Sequence, residues 1–184
     1  INIMKVEIYY LLILGLSILF IYFTGGPVII FASLIVIFEK CFFSRINVIP
    51  GIEFTSLATL LVVLKYGVTT GILFVIFLPL IIPTIINNFI GEKFVLNKDF
   101  VMMTIGFGNL VDILCVFIIH FLKDFDIFWI MLTILIFKHT LHNLAGKLKE
   151  ANFVMDYLEI AIGFLFNLFI VYFFHSFWLF LLAL

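Results

Sequence analysis

Apolar residues along this chain come in long runs that are hydrophobic on every face, not in the one-sided stripe of a soluble surface helix. Residues 8–23 hold no charge at all, and Gly25-Gly26-Pro27 closes the run, with Pro27 placed to open the next helix. The pattern predicts a second segment at 28–43, with Glu39 and Lys40 near its end, and then a polar stretch, 44–51, containing Arg45, Asn47 and Pro50. The third segment, 52–65, is short. A Tyr66-Gly67 turn leads from it into a fourth, 68–90, which contains Pro79 and Pro83. A polar loop, 91–99, precedes the fifth at 100–122. Lys123-Asp124 turns the chain into a sixth at 127–148, whose second half carries Lys138, His139, His142 and Asn143. The seventh, 153–184, is long enough to tilt or kink. The third segment either spans by being short or forms half of a re-entrant hairpin with the fourth.

Composition turns these runs into a statement about solvent. Of 184 residues, 66% are hydrophobic and 11% charged, with 26 phenylalanines and a mean hydropathy of +1.38. A soluble domain has about 25% charged residues, and this chain has too few polar groups to cover a water-facing exterior. The expectation is one all-α integral membrane domain over 1–184, a bundle of six to seven transmembrane helices. In it a helix at 8–23 precedes a six-helix core at 27–184. A β-barrel would show alternation in segments of about 10 residues, which runs apolar on all faces do not. Lys5 ahead of 8–23 also suits a signal peptide, but no small-x-small cleavage site follows, so the segment reads as a retained helix.

Charge supplies an orientation. Seven passes put Lys5, Lys40, Arg45, Lys93, Lys98, Lys138, Lys147 and Lys149 on the amino-terminal side, against Lys65 and Lys123 on the other. Positive loops stay cytoplasmic, so the amino terminus is placed inside a cell membrane crossed several times. A net charge of −1 leaves no footprint for nucleic acid. Cys41 and Cys115 lie in separate apolar segments and read as small buried residues.

Ionisable groups within a membrane are costly and usually functional. At about 100° per residue, Asn109, Asp112 and His120 share one arc of the fifth segment, which suits either a ligand contact or an interhelical hydrogen bond. In the seventh, Asp156, Glu159, Gly163 and Asn167 form a polar and small-residue stripe, suited to close helix packing or to a cavity wall. Glu53, just ahead of the short third helix, reads first as that helix's cap and otherwise as a carboxylate turned into a cavity. His139 and His142 share a face beside Lys138 and Lys147 and read as interfacial, since the Glu of a zinc-protease motif is absent. No phosphate-binding loop or nucleophile elbow is present. The residues call for no catalysis, cofactor or metal, so ATP-driven activity needs a partner subunit.

The stretch 49–73, IPGIEFTSLATLLVVLKYGVTTGIL, resembles the substrate-binding S-components of energy-coupling-factor transporters. The matching features are the acidic-aromatic-Thr/Ser start Glu53-Phe54-Thr55-Ser56 and the turn Gly67-Val68-Thr69-Thr70-Gly71. That resemblance implies a six-helix membrane domain that binds a small molecule and docks on an ATP-driven transport module, with Glu53, Asn109 and Asp112 facing the ligand. Residues 8–150 also resemble the MreD family of bacterial rod-shape membrane subunits. The shared features there are the basic turn Arg45-Ile46-Asn47-Val48, the turn from Gly67 to Gly71, and Leu110-Val111-Asp112-Ile113 in a later helix. This second likeness implies a scaffold that binds other membrane proteins. The leading expectation is the small-molecule-binding subunit, with the scaffold as its alternative. A small intramembrane enzyme using Asp112 and His120 stands third.

Overall fold

The computed structural model describes residues 19, 23, 25–39, 53–90, 107–149 and 157–184. Six helices and no strand occur among them. They are α1 (Pro27–Phe38), α2 (Thr55–Ile90), α3 (Phe107–Phe121), α4 (Ile127–Lys149), α5 (Tyr157–Phe173) and α6 (His175–Ala183). The helices anticipated at 28–43, 68–90 and 127–148 are present, the first of them ending at Phe38. Pro27 opens α1, as its fixed φ and missing N–H favour. Most of the segment at 8–23, together with Cys41, Arg45 and the loop 91–99, lies outside the described residues.

The expected turn at Gly67 is where α2 breaks. Gly67 has φ 83° and ψ −177°, a region essentially reserved for glycine. Beyond it the chain folds back on itself. A Cβ on Gly71 would collide with the Cγ2 methyl of Val63, eight residues earlier, and would lie 3.2 Å from Val116 Cγ1. Phe74, past the break, is buried in one cluster with Ala58 and Val62 from before it. In an unbroken helix, residues 62 and 74 would stand about 18 Å apart.

Among the described residues, length and composition alone allow two helices to cross a membrane, Thr55–Phe77 and Ile127–Leu148. The pair Ile160–Phe173 and His175–Ala183, bent by 66°, makes a third if it counts as one span. The break at Gly67 shows why length is a poor guide for the first of these: its two arms are a hairpin, not a single rod. Pro27–Phe38 and Gly108–Phe121 are apolar but shorter.

Packing centres on α2. It lies against α1 and α3, while α3 packs on α4, α4 on α5, and α6 closes over α1, α2 and α5. Ile29, Ala32 and Val36 of α1 recur at helical spacing and bury with Ala58 and Val62, small residues that permit close approach. A larger cluster joins Leu57, Leu60 and Leu61 to Val111, Ile119, Ile130, Ile134 and Trp178. Outward faces are also apolar. Leu110, Leu114, Phe117 and Phe121 form an exposed stripe on one side of α3, as expected of a surface that meets lipid.

Contacts at the helix ends show which ends lie together. Tyr66 abuts Gly26, whose φ of 105° and missing Cβ leave room for the phenol oxygen. Lys65 Nζ donates to the Leu182 carbonyl oxygen at 2.8 Å, a cation on the last turn of α6 where the helix dipole favours it. The α5–α6 bend is pinned at Ile170, whose carbonyl accepts both the Phe174 N–H (3.0 Å) and the Trp178 indole N–H (3.1 Å).

Two substitutions separate the reasons for the two glycines. Gly67→Ala meets open space but an unfavourable backbone, and is expected to cost about 1–3 kcal/mol. Gly71→Ala meets a methyl group instead, at a similar cost from overpacking. Adding Val63→Ala should restore part of the Gly71→Ala loss and none of the Gly67→Ala loss, as read by thermal unfolding in detergent.

Candidate functional site

The start of α2 is where charged side chains from three other elements converge. Glu39, at the carboxyl end of α1, is buried at 4% exposure. Its Oε2 accepts the N–H of Phe54 (2.7 Å), the N–H of Thr55 (2.7 Å) and the Thr55 hydroxyl (2.9 Å). The first N–H groups of a helix have no internal partner, and a carboxylate there also suits the dipole. Glu39 therefore performs the capping expected of Glu53, and does so from another helix. It ties the end of α1 to the start of α2.

Glu53 is left for a different task. The ammonium of Lys138, eleven residues into α4, donates to Glu53 Oε1, to Ser56 Oγ at 3.3 Å and to Asp112 Oδ1 at 2.7 Å. An ammonium carries three N–H donors, and here each has an acceptor. Ser56 Oγ in turn donates to Glu53 Oε1 at 3.4 Å. Side-chain exposure is 10% for Lys138, 17% for Asp112 and 25% for Glu53. The result is a buried ionic clamp joining the start of α2, the middle of α3 and the middle of α4.

The placing of Lys138 corrects the sequence reading, which counted it among eight inside-facing loop charges. It is buried in the bundle. A lysine that follows the apolar stretch 127–137 cannot easily reach water, and its ammonium needs carboxylates within the protein. That was the available signal, and Glu53 and Asp112 answer it.

The other candidate residues separate. Asn109 is half-buried on α3 and makes no hydrogen bond among the described residues. His120, expected on the Asp112 arc, is exposed and lies against Phe121 at 6.2 Å. His142 Nδ1 lies 3.1 Å from the Lys138 carbonyl oxygen, and Gly108 brings α3 close to the same imidazole. His139 packs on Phe164 at 5.1 Å. Gly163 and Asn167 both face inward on α5, and Asn167 Nδ2 donates to the Gly163 carbonyl oxygen at 2.9 Å, within its own helix. Asp156 and the side chain of Glu159 lie outside the described residues. Cys115 is a buried free thiol in the core. No group of three His, Cys, Asp or Glu among the described residues is arranged to hold a metal.

At the opposite end of the bundle, Asp126 caps α4. Its Oδ1 accepts the Phe128 N–H at 2.9 Å, and its Oδ2 lies 2.9 Å from His175 Nε2 at the start of α6. The Phe128 N–H, helped by His175, holds the Asp126 carboxyl below the usual carboxylate range.

The clamp and the Asp126 contact respond differently to substitution. Lys138→Met leaves two buried carboxylates facing each other and should cost about 3–5 kcal/mol. The triple variant Lys138→Met, Glu53→Gln, Asp112→Asn removes the charges together and should recover most of that loss in thermal unfolding. For Asp126, a depressed folded pKa means stabilisation that is complete above the ordinary value of about 4 and is lost as pH falls through the folded one. Asp126→Asn should therefore lower the unfolding midpoint at pH 7, with the gap to the parent closing below about pH 4. The pair is partly exposed, so the effect is less than about 1 kcal/mol.

No protein family, curated protein or solved structure matches this chain, so the role of the clamp has to be argued from its own chemistry.

Proposed function

We propose that this protein is a multi-pass membrane subunit without catalysis of its own, acting as a scaffold that binds another membrane protein, as the MreD-like resemblance implies. In this reading six to seven helices cross the cell membrane, with the amino terminus in the cytoplasm. The observation that carries it is the Lys138 clamp. Glu53 and Asp112, the two carboxylates a ligand-capturing subunit would turn toward a cavity, are held inside the bundle by one ammonium. Breaking such a pair leaves uncompensated buried charge, so it favours a fixed body over a site that opens and closes. The clamp also lies toward the end of the bundle that carries Glu39, next in sequence to Lys40. By the charge rule that end is cytoplasmic, the wrong side for a solute captured from outside.

A second reading, capture of a small molecule by an S-component-like subunit that docks on an ATP-driven module, is favoured by Glu53. Its side chain remains a quarter exposed, so one edge of the clamp is within reach of a polar solute.

Native mass spectrometry of the chain purified in mild detergent, with cross-linking in intact membranes, separates the two. The scaffold reading expects a defined cross-linked membrane protein and no retained small molecule. A retained small molecule that is lost in Glu53→Gln, while the fold survives, would overturn it in favour of ligand capture.

A further inference from the structure

A groove of about 460 Å³ runs between α4 and α5 on the side away from the hairpin of α2. On α4 its wall is Ile136, His139, Thr140, Asn143, Leu144 and Lys147, of which Ile136, Thr140, Asn143 and Lys147, at spacings of four, three and four, keep to one helical face. On α5 it is Tyr157, Ile160 and Phe164, again on one face. The two walls are graded in the same direction. Lys147, Asn143 and Tyr157 stand at the neighbouring helix ends, while Ile136 and Phe164 stand deepest.

That gradient has a length. From Lys147 to Ile136 the groove follows α4 for about 16 Å, close to the half-thickness, about 15 Å, of a bilayer's hydrocarbon core. Lysine and tyrosine at a helix end sit at the level of lipid headgroups. Among the described residues that line the groove, Lys147 is an exposed ammonium and none is a carboxylate. Leu144 is half exposed beside it.

We infer that this groove is a binding site for one anionic glycerophospholipid. Its phosphate meets Lys147, Asn143 and Tyr157, and an acyl chain lies along Ile136, Ile160 and Phe164. The inference rests on the membrane reading but not on the choice between scaffold and ligand capture. Depth matched to one leaflet, with the cation at the shallow end, suits a lipid better than a protein helix, which would need apolar contact along its whole length.

The test is native mass spectrometry of the full chain in mild detergent, titrated with phosphatidylglycerol and with phosphatidylcholine. One phosphatidylglycerol should be retained about fivefold more tightly, the preference expected of one lysine beside an anionic headgroup. Lys147→Gln, a surface change, should bring phosphatidylglycerol down to the phosphatidylcholine level. Ile160→Trp should weaken both lipids by filling the acyl channel, whereas Leu165→Trp, exposed outside the groove, should weaken neither. Inorganic phosphate at millimolar concentration should displace nothing, which separates a lipid from a free anion. Equal retention of the two lipids, or unchanged phosphatidylglycerol binding in both Lys147→Gln and Ile160→Trp, would overturn the inference. Alkaline carbonate extraction is the separate arm. A chain released into the soluble fraction would sink the membrane reading and this inference with it, while failed lipid discrimination in a chain that stays in the membrane fraction sinks the inference alone.

Discussion

A lysine side chain whose ammonium cannot reach water organises this fold. Lys138 lies mid-helix in α4, and its charge is tolerable only with acceptors on all three N–H groups. Those acceptors come from the start of α2 and from α3, so wherever α4 sits, the other two must come to it. Glu39 extends the constraint to α1 by capping the same end of α2. Around this point the apolar contacts are permissive: Leu, Ile and Val pack acceptably in many registers. The charges are not. They accept one arrangement of four helices.

The demand is sharper in a membrane than it would be in water. Lipid tails are as apolar as leucine, so hydrophobic burial gives helices little reason to prefer one another over lipid. Close approach and polar bonds must do the choosing. Several polar groups here turn back onto their own helices: Ser33 to the Ile29 carbonyl, Thr133 to Trp129, Thr140 to Ile136 and Asn167 to Gly163. They satisfy themselves locally and specify no neighbour. Among the described residues, the bonds that cross between elements include the clamp and the Glu39 cap toward one end, and Lys65–Leu182, Asp126–His175 and Trp178–Ile170 elsewhere. The bundle is fastened near its two ends, with small residues and close packing between.

How much of this was legible in the sequence follows from how local each cause is. Pro27 at a helix start, Gly67 at a reversal and the limits of α4 depend on the residues themselves and their immediate neighbours, and all three could be read. The Tyr66-Gly67 turn between the third and fourth segments could be read too, with the third either spanning by being short or forming half of a re-entrant hairpin with the fourth. Glu53, in contrast, looked like a cap because carboxylates before helices usually are. Only the three-dimensional return of α1 puts Glu39 there first, sixteen residues before Thr55. Lys138 was counted with the loop charges because His139, His142 and Lys147 follow it, and only the packing of α3 and α2 against α4 reveals that its side chain points into the bundle. The arc shared by Asn109, Asp112 and His120 was sound as helix geometry. It did not place His120 inside, because His120 lies at the last turn of α3, where the bundle no longer covers it.

The hairpin of α2 connects these observations. Thr55–Phe77 is apolar enough to cross a bilayer as one rod, and had it done so its start and finish would lie on opposite sides. Gly67 returns the chain instead, and Gly71, bare of a side chain, lets the second arm close on Val63 of the first. The first arm thereby becomes a short helix with neighbours all around it: Leu57, Leu60 and Leu61 are almost wholly buried, as are Ala58 and Val62. A short helix in that position cannot leave its first N–H groups to water, nor Glu53 to lipid. The Glu39 cap and the Lys138 clamp are what its location requires. The glycine turn and the buried charges are therefore two ends of one requirement, since a short helix enclosed by its neighbours must have its polar start satisfied inside the protein.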